Sequence, residues 1–251
     1  MNARIHLITG RTGIGKTARS VLLAEATGAP VVVLDRIQCY PELAVGSGRP
    51  QEAELRGTRR IYLTHRRVTE GDLDPAAAHS LLTAWVERLA LEADTIILEG
   101  GSMSLLQAMM ESSFWASYRR SHEHLRPADE ASYAARIEVR VAGMLHARPG
   151  EPSMLSELTA LGAVPEAWAF VQTVIGYGAI FGWCRENGLA LADLRRPLES
   201  KQTAHLTRRI TEAHLAYAEK QDEVFERMRT RWECFDPAHG HSNGEEISCR
   251  E

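Results

Sequence analysis

An α/β fold, with a parallel sheet flanked by helices and a mostly helical C-terminal part, is what this sequence predicts. Three observations predict it. Short apolar runs, Ile5–Thr9, Val31–Leu34 and Thr95–Leu98, recur between helical stretches. Continuous runs of this kind are strands buried on both faces, as in a parallel sheet covered by helices. The first run passes through a glycine-punctuated turn into an Ala/Leu-rich segment, Lys16–Ala26, so strand, loop and helix follow in order. Beyond about Glu111 the chain changes character, and helical periodicity dominates.

Each element has its own local reason. The second run ends in Asp35 and the third in Glu99-Gly100-Gly101. Between them, Asp74 can cap and Pro75 fits a first helical turn, opening a helix to about Leu91. Later helices are predicted over Asp129–Ala147, Met154–Leu161, Glu166–Asn187 and Lys201–Arg231, broken by Pro149, Pro152, Pro165 and Pro197. In the last, Leu206, Ile210, Ala213, Tyr217, Val224 and Met228 form one apolar face that packs onto the rest. The predicted organisation is an α/β core over 1–112, a mostly helical, substrate-enclosing part over 113–231 and a mobile tail over 232–251. Cys234, His239, His241 and Cys249 in that tail match no standard zinc spacing.

Composition excludes several classes. With 251 residues, 44% of them hydrophobic and 25% charged, the chain can bury a sizeable core. A net charge of -4, from 29 Lys and Arg against 33 Asp and Glu, is not the overall basic footprint of a protein that grips long nucleic acid. DNA is therefore not an expected partner, and RNA is disfavoured. Four scattered cysteines without a C-x-x-C pair suit reduced thiols in the cytoplasm. No run has the length of a signal peptide's apolar region or a membrane helix, so secretion and membrane attachment are not expected.

The strongest motif is Gly10-Arg11-Thr12-Gly13-Ile14-Gly15-Lys16-Thr17. It fits G-x-x-x-x-G-K-[ST] between a strand and a helix, the P-loop context, and makes the predicted fold P-loop NTPase-like. Gly10, Gly13 and Gly15 let backbone N–H groups turn onto phosphate oxygens. Lys16 neutralises charge, Thr17 can ligate Mg²⁺, and the helix N-terminus favours anions. Asp35 is a lone carboxylate at the carboxyl end of a buried strand, where ligands of open α/β sheets gather. It can take a proton from a nucleophile or hold a Mg²⁺-bound water, and the alternative is an Asp that orders its own loop. Glu99 occupies the analogous place on the third strand, where loop ordering is the expected role.

Several blocks in fixed order carry a resemblance. They are the GRTGIGKT loop, LDRIQCYPELAVGSGRP from Leu34, TRRIYL from Thr58, VTEG from Val68, ILEGGSMSLL from Ile97 and SFW from Ser113. From about Ile5 to Phe225 the chain resembles the bacterial adenylate dimethylallyltransferases, the isopentenyltransferases of cytokinin synthesis. The resemblance implies transfer of a dimethylallyl group from its diphosphate to the N6 amine of AMP. It makes the P-loop a holder of the diphosphate leaving group with Mg²⁺. It further implies that Asp35 bonds N6 and acts as general base, that Thr12 lies beside the reacting centre and that Ser47 contacts adenine. Arg140 matches the family arginine that helps neutralise diphosphate, with a solvated helix face as the plain alternative.

The chain departs from the pattern at the prenyl end. Plant-associated members carry an acidic residue and a histidine there, suited to a hydroxylated donor, whereas this chain has Ile175 and Tyr217 at the matching places. Its Val174-Ile175-Gly176-Tyr177 is closer to the transfer-RNA dimethylallyltransferases, so the plain donor is expected to be preferred. Core packing is the alternative for both residues. The rivals are a transfer-RNA dimethylallyltransferase, a small-molecule kinase with Arg119, Arg120 and Arg126 in a lid, and a non-catalytic nucleotide-binding switch.

Overall fold

Every apolar run picked out in the sequence is a strand of one sheet. The computed structural model describes residues 3–146, 152–162 and 164–233. Strand β1 (Arg4–Gly10) leads through the P-loop into helix α1 (Lys16–Thr27), which ends at Gly28 in the left-handed region, and then into β2 (Val31–Leu34). A long connection holds two single 3-10 turns, the one-turn helix α2 (Glu52–Leu55), the two-residue strand β3 (Arg60–Ile61) and a further 3-10 turn. Helix α3 (Pro75–Leu89) begins as expected: Asp74 accepts hydrogen bonds from the N–H groups of Ala76 and Ala77, with Pro75 at the first position. Strand β4 (Thr95–Gly100) and helix α4 (Met103–Glu111) complete the N-terminal part.

The sequence reading ended the α/β pattern at about Glu111, but the sheet takes a further strand, β5 (Arg119–Leu125), from beyond it. All pairings are parallel and the order is β3-β2-β4-β1-β5. β5 escaped notice because it is an edge strand with no buried position, RRSHEHL, several of whose polar side chains find their partners on β1 and α1. The Thr9 hydroxyl bonds His122 and His124 at 2.8 and 3.0 Å, and His6 bonds Ser121 at 2.9 Å. Arg119 and Arg120 therefore belong to a strand, not to a lid.

Helices then follow: α5 (Glu130–Leu145), α6 (Met154–Leu161), α7 (Trp168–Val171), α8 (Ile175–Glu186) and α9 (Ser200–Glu233). The single helix expected over Glu166–Asn187 is two helices after a 3-10 turn at Pro165–Ala167. The break falls at Val174, extended at φ -80° and ψ 125°, within the β-branched run Thr173-Val174-Ile175. Such residues lose side-chain freedom in a helix, which weakens continuity there.

Helix α1 packs on one face of the sheet, where Ile8, Ala24, Val31 and Ile97 meet in a small buried cluster. The other face carries the main core: Leu7, Val32, Leu34 and Leu98 from the strands meet Leu82 and Val86 of α3, Leu105 of α4 and Leu206, Ile210 and Phe225 of α9. The expected face of α9 is buried at Leu206, Ile210, Val224 and Met228, while Ala213 and Tyr217 are half-buried. Of Ser113-Phe114-Trp115, Phe114 and Trp115 pack against the core beside Tyr118 and Trp232, while Ser113 is exposed. Cys234, His239, His241 and Cys249 lie outside the described residues. Among the described residues no helix is long and apolar enough to cross a membrane.

Candidate active site

The carboxyl ends of β1, β2 and β4 open into one cavity of about 900 Å³, where the fold places ligands. Thr12, Gly13, Gly15, Lys16, Thr17, Asp35, Ser47, Arg140, Ile175 and Tyr217 all line it. Gly10, at the end of β1, is the one predicted site residue behind its surface. Thr12 and Tyr217, 205 residues apart in sequence, thus share a single chamber, because the α9, α8 and α5 helices fold back over the strand ends.

The P-loop conformation demands its glycines. Gly13 and Gly15 sit at φ +68° and +101°, and a Cβ on Gly13 would stand 2.5 Å from Ile137 Cδ1. The Lys16 ammonium donates to the carbonyls of Gly10 and Arg11 at 2.8 and 2.9 Å, curling over the loop. Burial lowers its pKa to about 8, against the pull of the Glu99 and Asp35 carboxylates. A phosphate placed there would restore a partner for that charge.

Asp35 follows the last residue of β2, and its two oxygens are held differently. Oδ1 accepts from the N–H groups of Ile37 and Gln38 at 2.8 and 3.3 Å, the loop-ordering role. Among the described residues Oδ2 has only a 3.4 Å contact with Gln38 Nε2, so one carboxylate oxygen is held weakly inside the cavity. Burial pushes the carboxyl pKa above its usual value, with the two backbone bonds and Lys16 opposing. Glu99 is paired at 2.5 Å with Arg60, both side chains almost fully buried, which ties β4 to β3 while the carboxylate still borders the cavity. Arg140 is solvent-exposed and its guanidinium contacts the Gly48 carbonyl at 3.4 Å, so it spans from α5 to the loop that carries Ser47.

A match to the isopentenyl transferase family model extends over residues 3–234. The chain belongs to the isopentenyl transferase family. Among curated relatives it is 41% identical to the adenylate dimethylallyltransferase of Agrobacterium tumefaciens (strain T37), over 88% of this chain and 90% of that protein. It is 39% identical to that of Ralstonia solanacearum, over 95% of this chain and 100% of the other. Of solved structures, a full-length tRNA isopentenylpyrophosphate transferase from Bacillus halodurans superposes with a TM-score of 0.66 at 13% identity, covering 96% of this chain and 100% of that one. A eukaryotic dimethylallyltransferase acting on tRNA gives a TM-score of 0.60 at 16% identity, over 87% and 69%. At such identities these two likenesses bear on the fold alone.

Sequence reading of this isopentenyl transferase missed the residues that brace the site. Gln221 of α9, buried to 2% exposure, accepts the Thr12 N–H at 2.9 Å and donates to the Gly101 carbonyl at 2.7 Å, tying the P-loop to the end of β4. Tyr133 of α5 donates to the Thr12 carbonyl at 2.8 Å, and Arg11 is clamped by Asp222 and Glu130. His214 was also missed. It lines the cavity near Gly176, its Nε2 is buried without a hydrogen-bond partner among the described residues, and burial lowers its pKa to about 4. The end of the cavity near Ile175 is therefore less apolar than Ile175 alone implied. Tyr217 keeps its phenol proton, its pKa raised to about 12 by burial and by the nearby Asp35 charge.

Proposed function

We propose that this chain transfers the dimethylallyl group of dimethylallyl diphosphate to the N6 amine of AMP, releasing diphosphate and N6-dimethylallyl-AMP, and that it does so in the cytoplasm. The observation that carries the reading is the weakly held Oδ2 of Asp35 in the same cavity as the P-loop lysine. The relatives named adenylate dimethylallyltransferase span nearly the whole chain, which favours AMP over an RNA acceptor. No role for DNA or a membrane is needed.

In this reading the diphosphate lies on the P-loop, met by the N–H groups around Gly13 and Gly15, by Lys16 and by Arg140. Adenine lies against the Gly46-Ser47-Gly48 loop with N6 toward Asp35. The N6 lone pair attacks the allylic C1, the C1–O bond breaks, and its electrons leave with the diphosphate. Asp35 accepts the N6 proton. Negative charge grows on the leaving group as the bond breaks, so Lys16 and Arg140 stabilise that moment more than the bound substrate. The donor set suits Mg²⁺, because Thr17 offers a hydroxyl at the cavity wall and this ion binds through few protein ligands plus phosphates and water. Bound there, the ion would neutralise diphosphate charge.

Incubating the protein with Mg²⁺, AMP and dimethylallyl diphosphate should yield a nucleotide heavier by one dimethylallyl group in mass spectrometry. Product only with an adenine-containing RNA loop would defeat the AMP reading, and phosphate transfer from ATP would replace it with a kinase. The apolar Ile175 leaves a donor hydroxyl short of a partner, at a cost of about 1–3 kcal/mol when buried, so the plain donor should win in competition. Equal or reversed kcat/KM values would overturn that preference and point to His214 Nε2 as the group receiving the hydroxyl.

A further inference from the structure

Glu157 of α6 is 7% exposed, yet it is a carboxylate surrounded by the main core. Its Oε1 accepts the Val45 N–H at 2.8 Å and its Oε2 accepts the Gly46 N–H at 3.2 Å, across more than a hundred residues of sequence. The Tyr177 hydroxyl donates to the same Oε2. Gly46 sits directly on that phenol, where a Cβ would lie 2.3 Å from the ring. A buried charge costs free energy unless hydrogen bonds satisfy it, and an apolar side chain would fill the same space at less cost. What the carboxylate adds is a fixed position for two consecutive backbone amides.

We infer that Glu157 is a positioning residue for the acceptor: by holding the 45–46 backbone from behind, it sets where Ser47 and Asp35 meet the purine. The inference rests on the function proposed above. From Gly46 the constraint passes forward through short steps. The Ser47 N–H donates to the Leu43 carbonyl at 2.9 Å, and the Ser47 carbonyl meets Gln38 Nε2 at 3.4 Å. That same amide reaches Asp35 Oδ2 at 3.4 Å. The P-loop is braced by other residues, Tyr133 and Gln221, neither of which touches this chain of contacts. Loss of Glu157 should therefore disturb the acceptor and spare the donor.

Glu157→Gln keeps the shape but replaces one acceptor oxygen by a donor that faces N–H and O–H groups. It is expected to raise KM for AMP about tenfold or more, with KM for dimethylallyl diphosphate changed less than about twofold, in line with the loss of a charge-assisted bond. Calorimetric titration of AMP into the donor-free protein should show the same weakening. Tyr177→Phe, which removes one hydroxyl and keeps the ring, should raise KM for AMP alone by about threefold; it decides the matter if the Glu157 variant does not fold. Equal rises in both KM values, or an unchanged AMP affinity, would overturn the inference. A wild-type protein that makes no prenylated AMP defeats the reaction reading, whereas an active wild type beside a Glu157→Gln protein of unchanged AMP affinity defeats this inference alone.

Discussion

Asp35→Asn is expected to lower kcat by about 10²–10⁴-fold, the usual contribution of a positioned general base, with little effect on folding. The substitution separates the loop-ordering contacts of the carboxylate from the base role proposed for it. An Asn Oδ1 can still accept the Ile37 and Gln38 N–H groups, so the loop keeps its shape. The second atom becomes an amide nitrogen, which cannot take a proton from N6. Asp35→Ala would remove both functions and confound them. The pH profile gives an independent reading. Burial raises the Asp35 pKa above its ordinary value, and the base must be ionised to act. Wild-type kcat/KM should therefore rise with pH through a limb that begins above the normal carboxylate range, and the Asn variant should lack that limb. A variant with wild-type kcat would remove Asp35 from the chemistry altogether.

How much of this was legible beforehand follows from how local each signal is. The P-loop, the strand that ends in Asp35 and the Asp74-Pro75 helix start are encoded within a few neighbouring residues, and the structure places them where the sequence put them. β5 is encoded otherwise. Its polar residues become a strand only because Thr9 and His6 of β1 and Arg19 of α1 supply partners for His122, His124, Ser121 and Glu123, none of which is visible along the chain. The same holds for Gln221 and Glu157, which act on backbone 209 and 112 residues away. A lone Gln on a helix or a Glu between Ser and Leu has an unremarkable pattern. Only the fold shows that Glu157 points inward, against the expectation that such residues face water. His214 carries the same lesson: it lies between predicted core positions of α9, and its place in the cavity, facing Gly176 in the first turn of α8, comes from how the two helices pack together.

Lys16→Met should cost about 10²–10³-fold in kcat/KM, comparable to removing one preorganised donor from a developing oxyanion. Met keeps an unbranched, buried stem, so the loss reports the charge. Two readouts separate this role from loop support. Lys16 holds the Gly10 and Arg11 carbonyls in the free protein, so a purely structural lysine would show its loss in thermal stability first. A charge that acts on the leaving group shows in the pH profile instead. With its pKa lowered to about 8, the ammonium is present below that pH and disappears above it. Wild-type kcat/KM should hold steady toward neutral pH and fall as pH rises through about 8, and Lys16→Met should abolish that falling limb. Saturating donor brings two or more negative charges onto the loop, which favours the charged amine, so the limb in kcat should move to higher pH than the limb in kcat/KM. Asp35 and Lys16 thus bracket the optimum from opposite sides, the base gained as pH rises and the cation lost, because burial pushes a carboxyl up and an amine down in the same cavity.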